Sequence, residues 1–440
     1  MAEDLMSLAQ MACEVAVKEG AEQADASVSR SHSLGVEIER SAIKSSDAGW
    51  GSGVSVRAFY RGGTGWGSAS GLDEETVRQT AVKAARMAKV AEPDPDFLSL
   101  PAPAEYQQVE GLYDQAVAEL SIEQVIAWAL ASVDEAKAVA GDAIVSGGGG
   151  AGSWESALAN SLGVAASSRG SHVGLFAFAI IKRGDDVGSY YDFDQARVLA
   201  DFAPDGLGTK AAQEALGFLA ARLVPTATLP VVFGPLSADS LLRSLCYNAN
   251  AEDIQRKRSY LVGMKGRQVA SPLVTITDEP FIPRGLSSGP HDGEGVPHQP
   301  LAIVEEGLLR TYLHNSYTAG KAKEPNTGHG TRGGISPTNL IPRLGAATAA
   351  EIIADTPEGI YLNMGSVSPN SVTGEISATV DFGFKIEKGK LAYPVKSTML
   401  GINMLDLLKN VDAISSDYRE EPGMIMPTIR AHGIKVAGGG

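Results

Sequence analysis

Apolar residues recur at helical spacing in four segments of the first half of the chain. These segments are residues 1–19, 73–91, 121–139 and 208–221. The second segment begins with acids and ends with bases, which complements the dipole of a helix. The third begins Ser121-Ile122-Glu123-Gln124, the form of a capping box. The pattern therefore predicts four helices in this half.

Between these segments the chain alternates apolar and polar positions, which is typical of half-buried antiparallel strands. The alternating stretches are residues 26–29, 36–39 and 54–59, and further β-structure is expected over 143–194. Gly and Ser lie between the stretches, so we expect them to be separate strands joined by turns. Strands and helices in this mixture indicate an α+β fold rather than a doubly wound sheet.

The second half of the chain has a different pattern. A Pro-containing segment, residues 222–229, follows the last predicted helix and precedes a strand at 230–233. Beyond it we predict a helix at 237–247, then many short strands with Gly, Pro and Asn turns, a helix near 401–408 and a terminal strand around 429–436. The prediction is two domains: a mixed α+β domain over residues 1–222 and a strand-rich domain over 223–440.

Charge and cysteine content indicate the cellular compartment and the classes of partner to expect. The formal net charge is −15, with a pI of about 5.0, and such a surface repels nucleic acid and anionic membrane surfaces. Two cysteines in 440 residues are typical of an intracellular protein. The first residues carry acids where a signal peptide has bases, and no run of 18 apolar residues follows. We therefore predict a cytoplasmic location, with no direct nucleic-acid or membrane partner.

Two glycine-containing motifs resemble functional loops by their letters alone. Residues 146–153 (SGGGGAGS) could be a dinucleotide loop, but the turn Asn160-Ser161-Leu162-Gly163 follows where that loop needs a helix. We predict a hairpin there, with 146–153 as a flexible turn. The segment 285–289 matches G-x-S-x-G, but Pro290 and Pro297 prevent the helix that a nucleophilic Ser287 would require.

The segment 291–298 concentrates imidazoles and carboxylates, which are possible metal ligands. They are His291, Asp292, Glu294 and His298. The alternative is that the two acids cap backbone amides in a Gly-rich loop while the histidines are surface or hydrogen-bonded residues. A loop without regular ligand spacing is weak evidence for metal, so a metal site at these four residues is kept as the second interpretation.

No histidine of this chain is followed by glutamate. The seven are His32, His172, His291, His298, His314, His329 and His432. A zinc peptidase helix needs adjacent His and Glu because the imidazole binds the metal while the carboxylate activates the bound water. The sequence therefore excludes a helix-borne zinc hydrolase motif of that kind.

Motifs along nearly the whole chain resemble the TldD/PmbA (TldE) family. The most specific block is D-x-E-G at 292–295 with Thr311-Tyr312-Leu313 downstream. Other matching segments are Gly53-Val54-Ser55-Val56-Arg57, Asp278-Glu279-Pro280, Arg284-Gly285, Glu306-Gly307, Ser316-Tyr317-Thr318-Ala319, residues 327–330 and residues 336–340.

The resemblance implies a division of labour between two chains. The TldD-type subunit of this family resembles a zinc peptidase with an H-E-x-x-x-H helix at the start of the C-terminal domain, and the TldE/PmbA-type subunit pairs with it as a heterodimer. The corresponding helix here is 237–247 with its continuation, which offers Arg243, Cys246 and Asn248 but no histidine. The chain therefore resembles the TldE-type subunit, with no catalytic residue or cofactor of its own and zinc expected in the partner.

The resemblance further implies that the pair cleaves small or unfolded peptides or trims leader segments. We expect the 285–295 loop to line the peptide chamber opposite the partner's zinc. The candidate peptide-binding residues are Arg284, Ser287, Asp292, Glu294 and His329. Arg284 is expected to pair with one of the two loop acids or with a peptide carboxylate. Two alternatives stay open: a partner-independent metallohydrolase that uses the 291–298 cluster, and a non-enzymatic homodimeric peptide-binding protein.

Overall fold

A computed structural model describes residues 4–365 and 367–439 of the chain. Within these residues it contains ten α-helices and twenty strands, so the α+β prediction is confirmed. No helix in the described part is long and apolar enough to cross a membrane. The helices are α1 (Leu5–Lys18), α2 (Glu74–Val90), α3 (Gln115–Ala118), α4 (Ile122–Val139), α5 (Leu207–Gly217), α6 (Pro235–Tyr247), α7 (Ala251–Gln255), α8 (Ser316–Ala322), α9 (Ala349–Ala354) and α10 (Met404–Lys409).

The strands fall into two groups along the chain. Six lie in the first half: β1 (Gln23–Glu39), β2 (Ala42–Tyr60), β3 (Gly63–Ser70), β4 (Ile144–Asn160), β5 (Ala165–Arg183) and β6 (Asp186–Ala196). The others are β7 (Ala227–Phe233), β8 (Ile276–Asp278), β9 (Leu301–Glu305), β10 (Leu308–Leu309), β11 (Gly330–Thr331), β12 (Gly334–Ile335), β13 (Leu340–Pro342), β14 (Glu358–Met364), β15 (Glu375–Thr379), β16 (Phe382–Glu387), β17 (Lys390–Pro394), β18 (Met399–Asn403), β19 (Val411–Glu421) and β20 (Met424–Ala437).

The first six strands form one antiparallel sheet in the order β3-β2-β1-β4-β5-β6. Helices α1 and α2 pack on one end of its strands, and helices α4 and α5 pack on the other end. Each pair of helices forms a separate apolar core with the sheet. Even-numbered residues of β1, such as Val28 and Val36, belong to these cores. Because side chains alternate along a strand, Ser31 and Gly35 lie on the opposite face, which we call the open face.

The second half of the chain is built around an eight-stranded sheet. Its order is β15-β18-β20-β7-β14-β16-β17, with β19 paired to β20, and only β7 and β14 run parallel. Helix α6 follows β7 in the chain and packs against this sheet, and its Leu241, Leu242 and Leu245 lie in the largest apolar core of the described residues. A smaller sheet, β10-β9-β8-β13, supports the long loops between residues 278 and 340. The proposed division at residue 222 stays a prediction.

Three local predictions are wrong in the same way, because pairing partners override local signals. Segments 26–29 and 36–39 are parts of the single strand β1, which β2 and β4 hydrogen-bond on both sides. Residues 146–153 lie inside β4 rather than in a turn, although the predicted hairpin with β5 is confirmed. The helix predicted near 401–408 begins only at Met404, and the residues before it belong to β18.

Candidate functional site

The long loop that carries the candidate residues lies against one end of the open face. Ser168 of β5 is 3.0 Å from a ring nitrogen of His291, and the hydroxyl of Tyr106 donates to the carbonyl of Gly295 over 2.9 Å. A Cβ atom at Gly295 would lie 2.5 Å from Val164, and its φ of +81° favours glycine. The loop therefore joins the two halves of the chain by close backbone approach.

Asp292 fixes the shape of this loop. One carboxylate oxygen accepts hydrogen bonds from the amides of Glu294 (2.8 Å) and Val296 (2.9 Å), and the other accepts from the amide of Gly330 (2.7 Å). Burial, followed by the nearby charge of Glu294, raises the pKa of Asp292 to about 7, although the three amide bonds oppose the shift. The carboxyl group is thus a buried cap for backbone amides.

Glu294 belongs to a buried charge network, which we call the junction network: Asp25, Arg57, Glu294 and Arg332. The Arg57 guanidinium donates to Glu294 over 3.1 Å and to Asp25 over 2.9 Å, and Arg332 donates to Asp25 over 2.8 Å. The second oxygen of Glu294 accepts from the amide of Ser316. Every charge in the network has an opposite partner, as burial requires.

Asp25 shows the electrostatic balance of the junction network. Burial alone raises the pKa of this carboxyl, but the guanidinium groups of Arg332 and Arg57 outweigh burial and hold the pKa below its usual value. Both guanidinium groups also lie over the ring of Trp66, at 5.4 and 5.7 Å. The ion pairs of Asp25 with Arg57 and Arg332 therefore favour its charged form, and they tie β1 and β2 to the loops of the second half.

His329 is part of a second closed network. One ring nitrogen lies 3.0 Å from Asp278 and the other 3.0 Å from the hydroxyl of Thr327. Thr338 donates both its amide and its hydroxyl to Asp278, each over 2.7 Å. The side chains of His329 and Asp278 are completely buried. This arrangement positions the loop after α8 and leaves no ring nitrogen of His329 facing solvent.

Arg284 and Ser287 lie at the surface, apart from the three buried candidates. Arg284 pairs with Asp201 over 2.8 Å, and its side chain is 55% exposed. The expectation that it pairs with Asp292 or Glu294 is therefore wrong; those acids take the backbone and Arg57 instead. Ser287 is exposed, and its amide donates to the side chain of Asn339 over 3.2 Å.

The four residues considered as metal ligands are used differently. The ring nitrogens of His291 lie 2.8 Å from the carbonyl of Asp292 and 3.0 Å from Ser168. Burial, followed by the neighbouring His329, lowers the pKa of His298 to about 4. In residues 4–365 and 367–439 no three His, Cys, Asp or Glu side chains come together as a possible ligand set.

Helix α6 begins two residues earlier than predicted, with Pro235 in its first turn. Its polar side chains form an ion pair, in which Arg243 lies 3.5 Å from Asp239 one turn away. Burial raises the pKa of Asp239 to about 6, with Arg243 opposing the shift. Asn248, just after the helix, donates to the carbonyl of Ser244. The helix therefore presents a carboxyl–guanidinium pair where the resemblance places the zinc ligands of the TldD-type chain.

The sequence predictions gave no site role to Asp25, Arg57, Asp278 or Arg332, although Arg57 and Asp278 lie in segments that resemble the family. Asp25 interrupts the apolar run Ala24-Asp25-Ala26 at the start of a strand, and a lone acid in such a run was a usable signal of a buried charge. Its partner Arg332 is 307 residues away, which no local pattern can reveal.

Comparison with known families gives matches along most of the chain. Residues 24–88 match the PmbA/TldA metallopeptidase domain 1, residues 116–219 its central domain, and residues 226–438 its C-terminal domain.

Individual relatives differ in how much of the chain they match. "Metalloprotease PmbA homolog" of Haemophilus influenzae is 26% identical over 99% of this chain and 96% of its own length. "Metalloprotease TldD homolog" of the same organism is 29% identical over 49% of this chain and 46% of its own. The crystal structure of TldE from Thermococcus kodakarensis superimposes with a TM-score of 0.89 at 24% identity, covering 98% of this chain and all of that one. This last likeness concerns the fold.

Proposed function

Because the chain belongs to the PmbA/TldD metallopeptidase family, we propose that it is the non-catalytic subunit of a TldD/TldE-type heterodimeric zinc peptidase. In this role it encloses and positions extended peptides in the cytoplasm, while the TldD-type partner holds the zinc. The observation that carries the proposal is α6, which contains no histidine in a chain where no histidine precedes glutamate. A water activated by zinc and a neighbouring carboxylate needs that pair.

The pattern of relatives supports the same assignment. The match to the PmbA homolog of Haemophilus influenzae runs through nearly all of both chains, whereas the match to its TldD homolog covers about half of each. Both kinds of chain are therefore relatives, and the PmbA kind has the same overall extent. This is what the proposal expects of a TldE/PmbA-type subunit.

Burial divides the five candidate residues into two roles. Asp292, Glu294 and His329 are at most 5% exposed and hydrogen-bond within the chain. We assign them to holding the loop that lines the peptide chamber. Arg284 and Ser287 are exposed beside that loop, and we assign to them direct contact with the peptide. A guanidinium group suits a peptide carboxylate, and a hydroxyl suits the peptide backbone.

The test is reconstitution with a TldD-type chain from the same genome. Each chain alone and the mixture are examined for molar mass in solution, for zinc per chain and for cleavage of casein as an unstructured substrate. We expect a one-to-one complex, zinc supplied by the partner, and cleavage that requires both chains. The matched control replaces the first histidine of the partner's zinc motif by alanine, which should abolish cleavage while the complex still forms.

Two results would overturn the proposal, and each favours one of the alternatives. One zinc per chain together with cleavage by this chain alone indicates an independent metallohydrolase, and His291 and His298 would then be the first residues to replace. A stable homodimer that ignores the TldD-type chain indicates a binding protein without a peptidase partner.

A further inference from the structure

The open face of the six-stranded sheet carries a large groove away from the candidate loop. The groove has a volume of about 1270 Å³ and crosses β2, β1, β4, β5 and β6. Small-molecule sites usually occupy ~300–1,000 Å³. Phe382 of β16 also lines the groove, next to Tyr191 of β6, so the second half of the chain contributes one aromatic side chain at the β6 end. Its size and its course across five strands suit an extended polymer.

A row of glycines forms the floor of this groove. In the strand register, Asp47 of β2 lies opposite Gly35, Gly35 opposite Gly150, Gly150 opposite Gly174, and Gly174 opposite Gln195 of β6. Three neighbouring strands thus contribute no side chain at the same level. The Asp47 carboxylate lies over Gly35 and the His172 ring reaches Gly174, so backbone is exposed between these two side chains, with Gln195 beyond Gly174.

An aromatic wall borders the floor on one side. Phe176 of β5 and Phe193 of β6 lie directly opposite each other, two positions along their strands from the pair Gly174 and Gln195. The side chain of Phe176 is 48% exposed. Arg419 of the second half lies 4.5 Å from the centre of the Phe193 ring and donates to its carbonyl, which holds that ring in place. Two aromatic residues at opposite positions of neighbouring strands, one of them half exposed, offer a site for an apolar or aromatic side chain.

The charge of the groove is negative. Four carboxylates line it against one ammonium group: Glu37, Glu39, Asp47 and Asp194 against Lys44. Lys44 is engaged by Glu37 (2.9 Å) and Glu39 (3.3 Å), whereas Asp47 makes no ion pair within the described part of the chain. A cationic group in the occupant would therefore be attracted to the Asp47 end.

The spacing of strands sets the length of the occupant. Neighbouring strands are ~4.8 Å apart, so the floor from Asp47 to Gln195 spans roughly 19 Å, which matches about six extended residues. From Asp47 to the strand that carries Phe176 the distance is roughly 14 Å, or about four residues.

We propose that this groove, which we call the glycine trough, binds an extended peptide segment that carries an aromatic side chain and a lysine or arginine about four residues apart. The assignment deepens the proposed peptide-handling role and rests on it. Binding by the trough requires neither zinc nor the partner, so it can be tested on the full chain alone.

The experiment measures fluorescence anisotropy of a coumarin-labelled peptide, acetyl-Phe-Gly-Ser-Gly-Lys-Gly-Cys, against the full chain. A second peptide has glutamate in place of its lysine, and a third has glycine in place of its phenylalanine. We expect both to bind about tenfold more weakly than the first. Gly174→Leu should weaken binding of the first peptide by about tenfold, because the new side chain fills the floor. A Cβ atom at Gly174 meets its neighbours at 3.4 Å, an ordinary contact, so the variant should fold.

Matched controls separate the trough from general effects. Gly401→Leu adds the same side chain at a strand glycine with nothing within 4 Å of its Cβ, and it should bind like the unchanged chain. Asp47→Lys should reverse the preference between the lysine and glutamate peptides. Asp185→Lys makes the same charge change in an exposed turn outside the groove and should leave the preference unchanged.

The outcomes distinguish this assignment from the proposed function. Equal binding by all variants, or no binding at all, overturns the trough as a peptide site while reconstitution with the TldD-type chain can still succeed. If Gly174→Leu binds peptide normally but fails to assemble with that partner, the trough is a subunit interface and the peptide assignment is wrong. If peptide binding follows the variants but no peptidase forms, the trough stands and the heterodimer does not.

Discussion

Replacement of Arg57 by leucine tests whether the junction network holds the two halves of the chain together. Arg57 is the one member that contacts acids from both halves, Asp25 in β1 and Glu294 in the loop. The side chains of these acids are 3% and 4% exposed, and that of Arg57 is 15% exposed. Arg57→Leu keeps an apolar stem against Trp66 but leaves two buried carboxylates with one partner fewer.

The loss of stability expected for Arg57→Leu depends on the hydrogen bonds that Asp25 and Glu294 keep in the variant. Removal of one member of a buried ion pair costs ~3–5 kcal/mol, because the other charge stays buried. Here Arg332 still donates to Asp25 and the amide of Ser316 still donates to Glu294. We therefore expect Arg57→Leu to lower the free energy of unfolding by about 3 kcal/mol, the lower end of this range. Arg30→Leu is the matched control, since Arg30 pairs with Glu155 in the same sheet with both side chains about 40% exposed, and it should cost ~0–1 kcal/mol.

The assay is urea unfolding monitored by tryptophan fluorescence and by far-ultraviolet circular dichroism. Midpoints are compared between variants whose unfolding free energy depends on urea concentration with a similar slope. Trp66, one of four tryptophans, has its ring centre 5.7 Å from the Arg57 guanidinium, so part of the fluorescence change reports the junction. A double-mutant cycle with Glu294→Gln isolates the contact between the halves, and we expect a coupling of about 1 kcal/mol or more. If Arg57→Leu costs no more than Arg30→Leu, or if the coupling is zero, the junction network does not stabilise the fold as argued.

Three further predictions concern other parts of the chain. The pKa of Asp292 is about 7 in the folded chain against an ordinary value of 3.8, so between these pH values the folded state binds a proton that the unfolded state releases. The free energy of unfolding should therefore fall as pH rises from about 4 to about 7. Asp292→Asn should flatten this pH dependence in urea titrations, and an unchanged slope would refute the argument. Gly148→Ala places a Cβ atom 2.3 Å from the carbonyl of Val36 and should lower the thermal midpoint by several degrees, whereas Gly401→Ala, measured in the same scan, should not. Ser121→Ala removes the capping box of α4 and should cost about 1 kcal/mol; no change in the urea midpoint would contradict this.

Local signals predicted the helices of the first half well because their determinants are adjacent in sequence. Ser121 and Gln124 form both bonds of the predicted capping box, and α4 ends at Val139 as expected. Asp73 likewise caps α2 through the amide of Thr76. Each of these bonds spans three residues, so the sequence alone contains both partners.

The glycines of β4 show why other elements could not be predicted. Four consecutive glycines favour a turn by local preference, yet Gly147 and Gly148 lie within β4. A Cβ atom at Gly147 would lie 2.3 Å from the carbonyl of Phe176, and one at Gly148 2.3 Å from that of Val36, so these strand positions require glycine. The requirement comes from β5 and β1, which close on β4 from both sides. Glycine here marks the close approach of neighbouring strands, which local propensity cannot express.

The candidate loop shows the same limit at the level of function. Its two acids were predicted either to cap amides or to contact a peptide, and Asp292 caps three amides. The partner of Glu294, however, is 237 residues away. A charged segment can be recognised from sequence, but whether its charges are free for a ligand depends on distant residues that neutralise them.

We propose that the distribution of free and engaged polar groups distinguishes structural from peptide-binding parts of this chain. At the junction, the carboxylate oxygens of Asp25, Asp292 and Glu294 accept hydrogen bonds from backbone amides and guanidinium groups within the chain. In the glycine trough, Asp47 is exposed and makes no ion pair with the described residues, and Phe176 is half exposed. Variants of the junction should therefore change peptide cleavage by the reconstituted pair only in proportion to lost stability, and the loss should disappear at low temperature. Variants of the trough should change peptide selection at full stability. If Glu294→Gln altered selection among peptides while the unfolding midpoint stayed constant, Glu294 itself would contact substrate and its purely structural role would be wrong.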